Sequence, residues 1–411
     1  MSPIHPHLNT RLWTLAGTML TLFSLGSIYT WSLFNAPLST RLDTSVEHVA
    51  FCFGILSLCL AFASLLSSKL QTLFGVRKVT IAVGLMLGIS LALIPHVTHL
   101  WMLYITAGLF VGCAVGIGYL MSLSNCVKLF PEHKGLVSAC AIGAYGLGSL
   151  GFKYINLYLL THSTLTITFD VWGGLVAGLI LIAGLMMHDA PTQKQSSQDT
   201  GAQSVVKQNP RDFSLAEAMQ LSQFWMLAFV FLTLCMSGLY IIGVAQDLGH
   251  RYVHLSVSAA ASAVAVIALA NLSGRFMLGI LSDKFARILV VNLAVLICLA
   301  GVLALRFFEL NALNFYIAVA CVAFSFGGAI TVFPSLVSDF FGLNNLTKNY
   351  GAIYLGYGVG SLAGSVIASL FGGFSAVFAV MLVLLVVSSV ICCVIKKPSE
   401  GTTVHESVVK I

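Results

Sequence analysis

Twelve apolar stretches of about 18 to 25 residues, separated by short polar breaks, leave this chain one kind of surroundings in which to fold. They run roughly over residues 13–35, 48–68, 78–95, 100–124, 136–160, 168–188, 223–246, 257–281, 288–306, 312–335, 350–372 and 374–395. About 20 apolar residues cross a ~30 Å hydrocarbon core as a helix, the form that satisfies its own backbone donors and acceptors where there is no water. Of the 411 residues, 58% are hydrophobic and 8% charged, whereas a soluble domain has about a quarter charged. The expected fold is an all-α membrane protein with 12 transmembrane helices, in contact with a lipid bilayer. A polar leader of about a dozen residues without a small-residue cleavage site precedes the first stretch, so no cleaved signal peptide is expected.

The distribution of the net charge of +6 points to membrane topology rather than to a nucleic-acid partner. With the N-terminus inside, Arg41, Arg251 and Arg306 fall on the outer side and Lys153 and Arg275 inside spans. The other lysines and arginines fall on the inner side, and this asymmetry puts both termini in the cytoplasm. Ten cysteines lie almost entirely within apolar stretches, with no CxxC pair and no histidine cluster at metal spacing. They read as small packing residues, and neither metal nor cofactor is expected.

The chain repeats itself at an offset of about 211 residues. Tyr145-Gly-Leu-Gly-Ser-Leu in the fifth stretch matches Tyr357-Gly-Val-Gly-Ser-Leu in the eleventh. The segment 68–75 after the second stretch matches 279–286 after the eighth, and Tyr29 in the first loosely matches Tyr240 in the seventh. Two six-helix bundles are expected, residues 1–188 and 223–411, joined by a polar cytoplasmic linker over 189–222 that includes a short amphipathic piece, Ser214 to Leu221. In such repeats the substrate site lies near the midplane between the halves.

Arg275 is the residue that points to function. It lies eight residues before Asp283, where the eighth stretch meets water, and so about 12 Å deep at helical rise. A guanidinium near the midplane costs about 2.5–3.5 kcal/mol on insertion scales and cannot shed its charge. Asp170, Asp247 and Asp339 all fall near the ends of stretches, so no acid lies clearly at its depth. Either Arg275 is a structural cation bonded to helix carbonyls, or it meets an anionic substrate, whose carboxylate it matches bidentately. Asn271 lies one turn earlier on the same face and cannot titrate. Tyr350, Tyr354 and Tyr357 share one face of the eleventh stretch, and their phenols can donate to a keto or hydroxyl oxygen or simply pack. Tyr29, Tyr119 and Tyr145 are the candidates from the first half. Ser64 is the repeat partner of Arg275, which makes the expected site cationic on one side only. Lys153 is expected to snorkel toward the outer interface.

Gly279, Leu281, Asp283, Lys284 and Arg287 form a nearly complete copy of the loop signature of the major facilitator superfamily, which the chain resembles over all twelve stretches. Ala286 replaces one glycine of that signature. The first copy is degraded: Ser68 and Thr72 replace its glycine and aspartate, while Gly75, Arg77 and Lys78 remain. The resemblance implies a gating role for these loop residues, and Thr72 puts it in doubt for the first half. Gly26-Ser-Ile-Tyr-Thr-Trp-Ser-Leu-Phe34, Gly274-Arg275 and Asn349-Tyr-Gly-Ala-Ile-Tyr354 resemble the oxalate/formate antiporter-like and monocarboxylate branch, in particular pyruvate-type carriers of bacterial inner membranes. That resemblance implies that Arg275 binds the substrate carboxylate. It also implies that Tyr357 stands where oxalate carriers present a second cation, and Asn271 where proton-coupled carriers present an aspartate.

The function expected is secondary transport of a small organic anion, a pyruvate-like monocarboxylate, by a monomeric carrier. The alternatives are an oxalate/formate-type exchanger and a non-transporting anion sensor, for which the short tails offer no output domain. The spans hold no nucleophile triad and no paired carboxylates, so an enzyme is not expected. Gly146-Leu-Gly148-Ser-Leu-Gly151 matches a dinucleotide fingerprint formally, but follows no strand and reads as helix packing, like Gly108, Gly112 and Gly116.

Overall fold

The computed structural model describes residues 8–130, 134–190, 213–342, 345–371 and 373–398, and among them it contains helices and no strand. Twelve long helices coincide with the twelve apolar stretches. They are α1 (Leu8–Leu33), α2 (Val46–Phe74), α3 (Val76–Leu93), α4 (Leu100–Leu129), α5 (Lys134–His162), α6 (Leu165–Met186), α7 (Ser222–Asp247), α8 (Val257–Lys284), α9 (Arg287–Phe307), α10 (Ala312–Phe341), α11 (Leu346–Phe371) and α12 (Phe374–Val394). Among the described residues, 11 helices are long and apolar enough to cross a membrane, and α5, 29 residues long, is the remaining one of the twelve.

Most helices extend past the apolar stretch by a few residues, because polar caps outside the stretch start them. The Ser45 hydroxyl accepts from His48 N at the start of α2, Thr164 from Ile167 N at α6, and Ser256 from Ala259 N at α8. Each satisfies one of the amides that a helix N-terminus leaves free. Of the expected linker, residues 191–212 lie outside the described residues. At its far end Phe213 N donates to Phe341 O, and Ser214 and Glu217 form a capping box on a short helix, Leu215–Met219.

α1 begins and α12 ends at one end of the bundle, the terminal end; the opposite end is the distal end. At the terminal end Thr14 of α1 accepts from His188 N after α6, and Lys397 after α12 faces Asp339 of α10. Within the first six helices α2 packs on α4, α3 on α6, and α1 on α4, α5 and α6. Within the last six, α8 packs on α10, α9 on α10 and α12, and α7 on α10 and α11. The two sets meet along α2–α11 and α5–α8, and where α7 packs on the last turns of α1.

The repeat is visible in the packing. A Cβ on Gly116 of α4 would lie 2.2 Å from Leu60 O of α2, and one on Gly327 of α10 would lie 2.1 Å from Asn271 O of α8. These contacts are one repeat apart at both ends. Small residues let backbones touch where lipid offers no hydrophobic drive for association. α1 tightens into a 3-10 helix over Ser27–Leu33, held by Trp172 Nε1 donating to Ser27 Oγ and Asn156 Nδ2 donating to Thr30 Oγ1, both at 2.9 Å. Tyr29 is presented from this segment.

Candidate functional site

Between the two sets of helices lies a small cavity, lined by Tyr29, Leu60, Tyr119, Tyr145, Arg275, Ile330, Tyr354 and Tyr357. Seven helices contribute to it: α1, α2, α4, α5, α8, α10 and α11. The cavity thus gathers the arginine and five of the tyrosines that the sequence singles out, from positions up to 328 residues apart.

Arg275 is 6% exposed, and α8 brings it there by close contact with α10. A Cβ on Gly274 would lie 2.0 Å from Phe324 O, so any larger residue would push the helix bearing Arg275 away. The side chain is oriented from behind: Nε donates to Asn271 Oδ1 at 2.9 Å, and Asn271 Nδ2 donates to Ala323 O at 3.3 Å. Asn271 is buried and lies outside the cavity lining, so its contact is with the arginine. Arg275 Nη1 is buried and has no hydrogen-bond partner among the described residues. No ion pair to Arg275 occurs there either, so the cavity lining carries a fixed charge without a counter-ion among the described residues. Ser64, its repeat counterpart, donates to Ala61 O of its own helix.

The tyrosines form two walls. On the first-half side, Tyr145 stands edge-on to Tyr29 (centroids 5.2 Å apart) and to Tyr119 (5.5 Å). On the other side Tyr354 and Tyr357 stack at 5.2 Å, with Phe326 6.2 Å from Tyr357. Tyr29 Oη and Tyr357 Oη, 3.2 Å apart, join the walls by a hydrogen bond. Tyr350 lies outside the lining and packs on Phe231, as Tyr354 does. Leu60 and Ile330 are the lining residues that sequence reasoning missed. The repeat offset was the available signal, since Ile330 is the counterpart of Tyr119 and Leu60 that of Asn271. Lys153 is 5% exposed and outside the lining, its Nζ 4.2 Å from the centroid of the Tyr154 ring.

The loop residues lie at the terminal end. Arg287 at the start of α9 pairs with Asp339 of α10. Asp283 and Lys284 are exposed, and among the described residues neither makes an ion pair. Gly279 faces Thr331, whose Cγ2 would lie 3.3 Å from a Cβ there. In the first half Gly75 takes φ +78° between α2 and α3, a conformation that favours glycine. Val76 N then donates to both carboxylate oxygens of Asp189, at 2.9 and 3.1 Å, and Gln71 Nε2 donates to Asp189 Oδ1. Asp189 is thus an anion at the N-terminus of α3, a favourable place for one. Arg77 Nη2 donates to Leu185 O, and Lys78 is exposed.

Comparison with known proteins bears on the family and the fold. The sequence profile of the Major Facilitator Superfamily matches residues 15–353 and 241–408. The chain is 56% identical over 353 residues to the uncharacterized MFS-type transporter YhjX of Escherichia coli (strain K12), covering 86% of each chain. It is 25% identical to the oxalate:formate antiporter of Oxalobacter formigenes, over 89% of this chain and 84% of that one. It is 24% identical to apicoplast pyruvate carrier 1 of Toxoplasma gondii, over 80% of this chain and 70% of that one. Among solved structures, the D-xylose-proton symporter superposes with a TM-score of 0.69 at 13% identity, over 96% of this chain and 99% of that one, a likeness of fold.

Proposed function

The chain belongs to the Major Facilitator Superfamily and is a multi-pass membrane transporter, not an enzyme, and we propose that its cargo is a small monocarboxylate of the pyruvate type, held by Arg275. The observation that carries this reading is the buried guanidinium of Arg275 in the cavity lining, which among the described residues has no counter-ion and no partner for Nη1. Taking an unpaired charge out of water costs several kcal/mol. A substrate carboxylate offsets that cost by accepting two parallel N–H bonds in the plane of the guanidinium. Asn271 engages Nε and sets the plane, leaving the Nη groups for the anion.

The phenols of Tyr29, Tyr119, Tyr145, Tyr354 and Tyr357 supply neutral donors for a keto or hydroxyl oxygen, and their rings exclude water from the rest of the anion. Arg275 is the single cation in the lining, which favours a monoanion over a dianion. Transport follows by alternating access between 1–188 and 223–411. α7 touches α1 at the 3-10 turn near the distal end, where the two halves are also joined through Asn35–Asp247 and Glu47–Arg251. With the termini cytoplasmic in a bacterial inner membrane, this is the arrangement closed to the outside.

The test is uptake of labelled pyruvate by proteoliposomes, with lactate, formate and oxalate as competitors. Saturable pyruvate uptake, inhibited by lactate and formate more than by oxalate, is expected. Flux of oxalate in preference to all monocarboxylates would place the chain with oxalate/formate-type exchangers. Saturable pyruvate binding without flux would indicate a sensor.

A further inference from the structure

Asp247, at the distal end of α7, is the one acidic side chain buried among the described residues, at 4% exposure, and it has no counter-ion. Arg251, one turn further on, pairs instead with Glu47 of α2 at 2.8 Å. The partner of Asp247 comes from the other half of the molecule: Asn35 Nδ2 donates to its Oδ2 at 2.7 Å and to Gly243 O at 2.9 Å. Directly after Asp247 the helix widens into a π turn, Leu248–Tyr252, a form frequent at functional sites. A small cavity, distinct from the central one, adjoins the carboxylate and is lined by Glu47, Tyr240, Asp247, Arg251, Ser365 and Phe374 among others. The repeat counterpart of Asp247 is Ala36, so the acid is not a feature that the two halves share.

We propose that Asp247 is a proton-binding site whose occupancy accompanies closure of the distal end. The charged and titratable groups facing it are Glu47 from α2, Tyr240 from α7 and Arg251 from the π turn that follows it, while the segment after α1, α11 and α12 contribute the neutral Asn35, Ser365 and Phe374. Arg251 favours an ionised Asp247, but its ion pair goes to Glu47, whose own charge opposes it. When the halves separate at this end, the carboxylate is hydrated and ionised. When they close, the carboxylate loses its water, and the single hydrogen bond donated by Asn35, which by itself favours the charged form, replaces only part of that hydration. The closed form therefore binds one more proton than the open form. By linkage, acid favours closure, and the preference is lost as the pH rises. This site is separate from the central cavity, where among the described residues Asn271 puts a neutral amide and no carboxylate beside Arg275.

The measurement is the distance between spin labels on unnatural amino acids at Thr40 and Leu313, exposed positions at the distal ends of the two halves, in purified protein in nanodiscs between pH 5 and 8. It requires no substrate, so its outcome is independent of whether pyruvate is the cargo. The closed-to-open ratio is expected to fall at least about tenfold as the pH rises, the linkage of a single proton permitting up to tenfold per pH unit. Asp247→Asn, the same shape without charge, should remain closed at every pH. Asn35→Asp places a second acid against the first and should move the transition to higher pH, because two such groups share a proton. A distance distribution in the unsubstituted protein that ignores pH, or the same transition in Asp247→Asn, would overturn the proposal.

Discussion

Asn271 accepts a hydrogen bond from Arg275 Nε at 2.9 Å, across one turn of α8, and its amide in turn donates to Ala323 O on α10. This chain of two bonds ties the plane of the guanidinium to the backbone of a neighbouring helix. The arginine is held by a neutral group and keeps its charge for the cavity.

The geometry makes the fork, not the charge alone, the functional element. Arg275→Lys keeps a cation but loses the Nε bond to Asn271 and the bidentate face. Pyruvate uptake in proteoliposomes is expected to fall at least about tenfold, equivalent to ~1.4 kcal/mol, with the protein still inserted. Wild-type rate and affinity in this variant would remove Arg275 from the substrate site.

Asn271→Asp places a carboxylate where the neutral acceptor stands. Once ionised it becomes an internal counter-ion for Arg275 and competes with the substrate. Affinity for pyruvate should weaken about tenfold or more at a pH where the new acid is charged. Titration calorimetry at pH 8 checks this. An unchanged dissociation constant would show that the hydrogen bond does not orient the binding cation.

Tyr357 stacks on Tyr354 and shares a hydrogen bond with Tyr29 at a place where a second cation would serve a second carboxylate. A dianion entering this cavity would bury one carboxylate unpaired, so monocarboxylates should outcompete oxalate by at least about tenfold. Tyr357→Lys should narrow or reverse that preference. Equal competition by oxalate and pyruvate in the unsubstituted protein would refute the one-cation reading.

Gly274 has no room for a methyl group, since its Cβ would sit 2.0 Å from a backbone oxygen of α10. Gly274→Ala should force α8 and α10 apart, at a cost of about 1–3 kcal/mol, and lower the midpoint of thermal unfolding in detergent. Gly174→Ala is the matched control, because nothing lies within 4 Å of a Cβ there. Similar melting of the two variants would show that the close approach of α8 and α10 is not required.

The sequence by itself determined the number and places of the helices, because a lipid solvent permits little besides uninterrupted apolar helices. It also brought out Arg275, since a charge that cannot be neutralised stands out in an apolar run, and the internal repeat paired Tyr145 with Tyr357. Tertiary structure alone decided what meets what. Leu60 and Ile330 reach the cavity, while Tyr350 turns to Phe231 and Asn271 stands behind the arginine. Asp247 looks from its position like an ordinary acid at a helix end, and only the approach of Asn35 from the other half, 212 residues away, buries it. Hydropathy and charge are local properties of a chain and can be read along it. Which face of each helix meets its neighbour is set by side-chain volumes and glycine contacts summed over all twelve helices, and that sum exists only in three dimensions.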